Sequence, residues 1–221
     1  MNSHLKALLH SIGNPLINGG NPISLVESKE ILNLAFKNNV EMEYLEKLKS
    51  NNSLNELNAD YVEYNNRLAD TALCIKRISK ALEDSNIPYA LTKTIRPYPG
   101  IPNDSDILYL GELKDYSSAV NKLVEKGFEK SGGGDMQQEL FDPQGEGIFK
   151  RDKRGGRFYI DFYRQLAADH VPYMDSKLIK DCIIRKKHTD FEVNVFHPYA
   201  ETCILMLHSV IMHRTLPLEV F

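Results

Sequence analysis

The chain has little cysteine, no long apolar run and no strong excess of one charge. Its 221 residues include only Cys74, Cys182 and Cys203, which lie far apart and form no Cys-x-x-Cys pair. Neither a disulfide framework nor a cysteine zinc site is expected, and a reducing cytoplasm fits this usage best. The net charge of -3 gives no overall nucleic-acid signature, although a local basic patch remains compatible with it.

Membrane, export and nucleotide-loop signals are also lacking. No apolar run approaches the roughly 20 residues that span a bilayer, and the N-terminal segment has no signal-peptide core of useful length. We therefore expect a cytoplasmic protein without a membrane partner. The sequence contains neither a Walker A motif nor a Gly-x-Gly-x-x-Gly fingerprint, so neither of these phosphate sites is indicated.

The spacing of the apolar residues changes near position 86, from a helical repeat to short strand-like runs. From 54 to 84, apolar residues recur at three- and four-residue steps, which predicts a long helix packed in the core. Beyond it, strands are expected at 87–91, 104–110, 138–141, 147–151, 158–163 and 191–196, and helices at 113–127, at 175–185 and from Pro198 through the apolar run 200–212. This order predicts an α+β fold with a small mixed β-sheet flanked by helices. We divide the chain into an N-terminal helical region (1–65), an α+β core (66–197) and a C-terminal helix (198–221).

Two aspartates, Asp104 and Asp106, open the second of these strands. Side chains alternate across a strand, so both carboxylates point to the same side. Such close carboxylates raise each other's pKa unless a cation lies between them. Mg²⁺ resolves the conflict, since it is commonly held by one or two carboxylates plus substrate phosphates. The alternative is a turn residue followed by a solvent-facing strand residue, and the pair alone leaves both interpretations open.

A third acid, Asp161, interrupts the apolar run at 158–163. An aspartate inside a buried strand is costly unless it is paired or ligates a metal. It could be a structural residue bonded to Arg164 or to neighbouring backbone, or it could be functional. Together with the first two acids, a carboxylate on a neighbouring strand could complete a divalent-metal cluster for phosphoryl-type transfer.

The acids belong to an ordered series of short motifs. In chain order these are Lys93-Thr94, Arg96-Pro97, Asp104-Ser105-Asp106-Ile107-Leu108, Ile160-Asp161-Phe162-Tyr163 and Leu205-Met206-Leu207-His208. The series, over residues 70–215, resembles the polymerase β-type nucleotidyltransferase superfamily, and specifically its uncharacterised branch of prokaryotic nucleotidyltransferase-like proteins. The resemblance implies a nucleotidyltransferase-like fold, with the helices of 1–65 as an addition to it.

The resemblance also implies a site and a reaction. Asp104, Asp106 and Asp161 would hold Mg²⁺ or Mn²⁺, and Asp161 would help to deprotonate the acceptor. Lys93, Thr94 and Arg96 would contact the triphosphate. The implied activity is transfer of a nucleoside monophosphate from an NTP to a hydroxyl group on a small molecule, a protein or an RNA end.

Departures from the family pattern motivate an alternative. Active members carry Gly-Ser or Gly-Gly where this chain has Lys93-Thr94, and a histidine where it has Tyr163. The alternative is a catalytically inactive binding or regulatory module of the same fold. A third hypothesis uses the basic turn at 150–157 for nucleic-acid binding, although a solvated turn that keeps a sheet edge soluble is the simpler interpretation of these residues. The apolar end of the chain predicts a partner surface, either for a second copy or for a helical partner.

Overall fold

The computed structural model describes residues 3–12, 29–38, 40–95, 100–102, 104–145, 158–168 and 171–213. The α-helices within them are α1 (Ser3–Ser11), α2 (Lys29–Lys37), α3 (Glu41–Ser50), α4 (Asn58–Asp84), α5 (Tyr116–Glu125), α6 (Ser176–Ile179) and α7 (Pro198–His208). The strands are β1 (Tyr89–Thr92), β2 (Asp104–Tyr109), β3 (Glu129–Gly133), β4 (Gln137–Phe141), β5 (Tyr159–Tyr163), β6 (Leu166–Ala168), β7 (Val171–Met174), β8 (Ile183–His188) and β9 (Phe191–Phe196). Helix α7 continues into a π-helical turn, Ser209–His213.

Seven strands form one mixed sheet in the order β3-β4-β5-β2-β1-β9-β8. The pairs β2–β5 and β1–β9 are parallel, and the other neighbours are antiparallel. Strands β6 and β7 form a separate two-stranded sheet. The strand that carries the Asp-x-Asp motif therefore lies at the centre of the main sheet, beside the strand that carries the third acid.

The two faces of this sheet are covered differently. One face, here called the helical face, shares a large hydrophobic core with helices α1 to α5; its strand residues include Leu91, Ile107, Ile160, Phe162 and Val193. On the opposite face, a smaller apolar cluster joins the sheet to α6, α7 and the β6–β7 hairpin; it comprises Ala90, Leu108, Leu166, Ile179, Phe196 and Ile204. Because side chains alternate, the three acids lie on this second face, here called the acid face.

Local sequence explains how α5 packs and where it ends. Tyr116, Ala119, Val120 and Leu123 recur at three- and four-residue steps and are all buried. The helix is followed by Gly127, whose φ of 99° lies in the left-handed region that glycine adopts without strain. The apolar stripe of α5 thereby meets the helical face of the sheet.

The α+β class with a mixed sheet flanked by helices is confirmed, and the sheet has seven strands. The helix expected at 175–185 is too long, because helical structure ends at Cys182. Asp175 caps α6 as expected, accepting a hydrogen bond from the Lys177 backbone N–H at 2.9 Å. A 3-10 turn, Lys180–Cys182, follows α6 and leads into β8, an edge strand whose basic side chains suit an exposed sheet edge. The strand expected at 147–151 lies outside the described residues.

The helices near the two ends of the chain can be compared with the predicted domain boundary at 65/66 and with the predicted C-terminal partner surface. Helix α4 runs through the predicted boundary at 65/66, and helices α1 to α4 share the core of the sheet. Helix α7 and the turn after it expose several large apolar side chains, namely Tyr199, Met206, Leu207, Val210 and Ile211. The partner surface expected at this end of the chain stays a prediction. None of the described helices is both long and apolar enough to cross a bilayer.

A tyrosine joins α5 to the sheet and provides a test of the fold. The Tyr116 hydroxyl donates to the Phe162 carbonyl and accepts from the Gln138 backbone N–H at 3.0 Å, and these two strand residues are register partners. Tyr116→Phe would remove both hydrogen bonds from backbone groups at this position, so we expect a loss of about 1–3 kcal/mol in the free energy of unfolding. Urea denaturation measures it. Tyr199→Phe, at a side chain 80% exposed, should change little, and equal effects of the two substitutions would contradict the assigned role.

Candidate active site

The pairing of β2 with β5 brings two of the predicted acids side by side. Asp106 and Asp161 are register partners on adjacent parallel strands, and Asp104 is the partner of Tyr159 one pleat away. Register partners on parallel strands lie about 4.8 Å apart at the backbone and point to the same face. Asp106 is buried and Asp161 is partly buried. Their carboxylates therefore repel each other in a poorly solvated place.

Lys93 supplies the compensating charge. Its Nζ lies 2.7 Å from Asp106 Oδ1, with both side chains largely buried. The same ammonium stands over the Tyr163 ring, 5.1 Å from the centroid. Burial would lower the pKa of Lys93, but the Asp106 carboxylate outweighs burial and the pKa is raised. Lys93 is thus a fixed cation beside the acid pair.

The backbone of Lys93 is held in an unusual conformation. Its φ of 57° is left-handed, which costs a residue with a side chain about 1–2 kcal/mol. The conformation is supported by Glu201 of α7, whose Oε1 accepts the Lys93 backbone N–H, and whose Oε2 accepts the Thr92 hydroxyl at 3.2 Å. Helix α7 therefore anchors the turn that aims the Lys93 side chain at Asp106.

Thr94 has a structural role in this arrangement. It is buried, and its hydroxyl donates to the Thr92 carbonyl at 2.9 Å while accepting the Asp106 backbone N–H at 2.9 Å. The side chain thus ties the end of β1 to the backbone of the central acid. With its oxygen engaged on both sides by backbone, Thr94 fixes the position of Asp106 in the described structure.

Asp161 is the least satisfied of the acids. Its Oδ1 is buried and has no partner in hydrogen-bonding geometry, while its Oδ2 accepts a long hydrogen bond of 3.4 Å from the Tyr163 hydroxyl. The Gln137 side chain also lies close enough to oppose the rise in the pKa of Asp161. Burial first, and the Asp106 charge second, raise the pKa of Asp161 to about 6. The same surroundings, burial above all, raise the pKa of Tyr163. An unpartnered buried carboxylate oxygen is what a cation or a proton donor would satisfy.

The donor set fits a divalent cation only in part. Asp106 and the free oxygen of Asp161 supply two carboxylates, which suffices for Mg²⁺ when phosphate oxygens and water complete its six ligands. A full protein cage is not formed: among the residues the structure describes, no group of three or more His, Cys, Asp or Glu side chains is placed to hold a metal. Asp104 remains within electrostatic reach of Lys93 and Tyr163.

The predicted site residues are thus brought together unevenly. Asp104, Asp106, Asp161, Lys93 and Thr94 all lie around the acid face at β1, β2 and β5. Arg96 lies outside the described residues, as does the basic turn at 150–157. Their predicted contacts with phosphate or nucleic acid stay predictions.

Sequence reasoning missed the contribution of α7 and of the β6–β7 hairpin. Glu201 reaches Lys93 across 108 positions of the chain. Tyr173 of β7 lies close enough for its pKa, raised mainly by burial, to respond to Lys93, Asp106 and Glu201. Its hydroxyl also contacts His208 Nδ1 at 3.4 Å. The only local signal for the contact between Glu201 and Lys93 was the position of Glu201, which is the one acid in the first turn of a largely apolar helix.

Glu201 offers a test by pH. Burial above all, together with the Asp106 charge, raises the pKa of Glu201 to about 7. The hydrogen bonds from Lys93 and Thr92 and the Lys93 charge lower this pKa and so limit the rise. Tyr173 also faces the Glu201 carboxylate. A pKa raised on folding means that the native state holds the proton more tightly. The contribution of Glu201 to stability is therefore greatest below about pH 4 and declines as pH rises towards 7.

Glu201→Gln should remove this dependence, because an amide can still accept from the Lys93 N–H and donate to the Thr92 hydroxyl. We expect the variant to be more stable than the wild type by about 2–3 kcal/mol near pH 8 and nearly equal to it near pH 4. Urea denaturation across this range measures the difference. Glu192→Gln, at an exposed position on β9, is the matched control. A difference in stability between the Glu201→Gln variant and the wild type that does not vary with pH would contradict the shifted pKa.

The site was also compared with known proteins. No protein-family model, curated protein or solved structure matches this chain. The resemblance to nucleotidyltransferases therefore rests on the sequence motifs, and the function has to be inferred from the groups gathered on the acid face.

Proposed function

We propose that the protein is a metal-dependent nucleotidyltransferase that moves a nucleoside monophosphate from an NTP to a hydroxyl acceptor. The observation that supports this most is the pairing of Asp106 with Asp161 on adjacent parallel strands, with one Asp161 oxygen buried and unpartnered. Two neighbouring carboxylates, one of which has an unpartnered oxygen, suit a divalent cation together with substrate phosphates. The motif series of the sequence supplies the rest of the argument.

In this proposal Asp106 and Asp161 hold Mg²⁺ or Mn²⁺, with Asp104 beside them. When bound, the cation supplies charge neutralisation for the triphosphate and the departing pyrophosphate. Asp161 has a second task, since the carboxylate oxygen that does not ligate the cation would accept the proton of the acceptor hydroxyl, and a pKa raised to about 6 suits a general base.

The remaining groups bind and position. Lys93 adds a cation that is already oriented beside Asp106, where it can face the phosphates. Thr94 keeps the Asp106 backbone fixed through its hydroxyl, and Glu201 keeps the Lys93 turn fixed. Such transfer depends mainly on positioning and charge stabilisation, so fixed carboxylates and a fixed cation are the components that it requires.

The acceptor is a hydroxyl group of a small molecule, a protein or an RNA end. We place the activity in the cytoplasm, which the free thiols of Cys74, Cys182 and Cys203 support because such thiols persist in a reducing compartment. Arg96, whose structure is not described, is kept as a further candidate for triphosphate binding on the strength of its motif.

Calorimetry with each of the four NTPs tests the proposal. We expect at least one NTP to bind the wild type when Mg²⁺ or Mn²⁺ is present and to lose most of its affinity when EDTA replaces the metal. Asp106→Asn and Asp161→Asn should each weaken binding at least about tenfold, because each removes a negative ligand of the cation.

Asp190→Asn is the matched control for these variants, since it makes the same chemical change at a side chain 70% exposed. It should bind NTP like the wild type. Absence of binding by any of the four NTPs with either metal would sink the enzyme proposal, provided that the far-ultraviolet circular dichroism of the sample shows a folded chain.

The Lys93–Asp106 ion pair favours a second candidate, a catalytically inactive binding or regulatory module. Here the lysine is itself the cation that the acid pair requires, and no metal or NTP is needed. Removing one partner of a largely buried pair strands the other charge, whereas removing both does not.

A double-mutant cycle measures how strongly this pair serves the fold. Lys93→Met should cost about 3–5 kcal/mol in the free energy of unfolding, and adding Asp106→Asn should restore much of that loss. Strong recovery combined with no NTP binding by the wild type supports the second candidate. Release of pyrophosphate from an NTP by the wild type would exclude it.

A further inference from the structure

A polar cavity lies on the helical face of the sheet, away from the acids. It has a volume of about 300 Å³ and lies where the start of α5 faces strands β3 and β4 and the end of β5. Its charged lining residues are Lys114, Lys130, Arg164 and Asp135. Cations thus outnumber carboxylates by three to one in a protein whose overall charge is negative.

The unmet hydrogen-bonding need of Arg164 is the feature that indicates a ligand. Its Nε is buried and has no hydrogen-bond partner, and its main chain is fixed by a bond of 2.8 Å from its N–H to the Met136 carbonyl. A buried donor of a charged group without an acceptor is costly, and native proteins rarely leave one unmatched. An anion in the adjoining cavity would satisfy it.

Lys130, Lys114 and the Ser117 hydroxyl extend the same environment. Lys130 Nζ donates to Asn121 Oδ1 at 3.2 Å, which orients the lysine at the cavity and leaves its other two protons available. Ser117 and Gln138 also line the cavity. Lys114 is exposed at the rim, in the short turn that precedes α5. Hydrogen-bond donors and positive charge therefore converge on one volume.

We propose that this cavity binds a small organic phosphate of about the size of a sugar phosphate. A phosphate monoester carries a charge of about -1.5 to -2 at neutral pH, which matches the net excess of two positive charges in the lining. A carboxylate would compensate only half of that excess. The volume exceeds what a free phosphate ion fills and lies at the small end of ligand pockets, which points to a phosphate with a compact organic body.

The sheet itself separates this cavity from the acid face. Tyr116, which lines the cavity, stacks on Phe162 with the ring centroids 5.4 Å apart, and Phe162 alternates with Asp161 along β5. The two neighbouring residues therefore point to opposite sides of the sheet. Binding in the cavity needs no divalent metal, so it can be tested independently of nucleotide transfer.

Calorimetry of the full-length chain in EDTA tests the proposal, with glucose 1-phosphate as the probe. Methyl glucoside and inorganic phosphate represent the two halves of the ligand. We expect glucose 1-phosphate to bind at least about tenfold more tightly than either, with an affinity that falls as salt screens the cationic lining. No binding at about 10 mM, or equal binding of inorganic phosphate or of methyl glucoside, would overturn it.

Variants locate the binding. Arg164→Gln should weaken binding at least about tenfold, and Lys114→Gln about threefold, because each removes one positive charge from the lining. Lys114 is exposed, so its variant keeps the test valid if the Arg164 substitution disturbs folding. Lys187→Gln makes the same charge change on β8, at the far edge of the sheet, and should leave the affinity unchanged. Equal affinity in all three variants would place the ligand elsewhere and refute the proposal.

Discussion

The placement of Asp106 directly beside Asp161 is the constraint on which the candidate site depends. The apolar residues of the helical face fix it, because a slip of one residue would turn Asp161 into the core and Phe162 out of it. Once the strands are paired in this way, two carboxylates share a poorly solvated face, and a cation becomes necessary. Lys93 meets that need in the described structure, and a divalent ion would meet it further during the proposed reaction.

The residues around Lys93 hold its ammonium group beside the Asp106–Asp161 pair. Lys93 adopts a left-handed backbone, and the cost is offset by hydrogen bonds to Glu201 and by the Thr94 hydroxyl, which joins β1 to β2. Elsewhere on the same face, ordinary apolar packing of Leu108 and Phe196 holds α6, α7 and the small hairpin in place. Backbone strain and shifted pKa values are thus concentrated at one end of the face, a distribution that is typical of functional sites.

Short-range patterns made much of this arrangement predictable, and long-range contacts did not. The three-to-four-residue period of α4 and the alternation around Asp104 and Asp106 are local properties, so the α+β class and a common face for these acids could be inferred. The sequence could also suggest that Asp161 joined them, because an acid in an apolar strand needs a partner. The role of Glu201 could not be inferred, since it depends on how α7 docks. The end of α6 was misjudged because a 3-10 turn, Lys180–Cys182, leads directly into β8 with no glycine or proline to mark the boundary.

Strand β5 gives the two faces opposite electrostatic character. Asp161 and Tyr163 point to the acid face, which attracts cations, whereas Phe162 points to the helical face and Arg164 lines the cavity that attracts anions. The acid pair and the cationic cavity therefore attract ligands of opposite charge, but both depend on the position of β5. Tyr116 holds β5 through the Phe162 carbonyl, and Phe162 is the next residue after Asp161. A shift of β5 that broke this contact would also move Asp161 relative to Asp106, so the packing of α5 helps to maintain the geometry of the acid pair across the sheet.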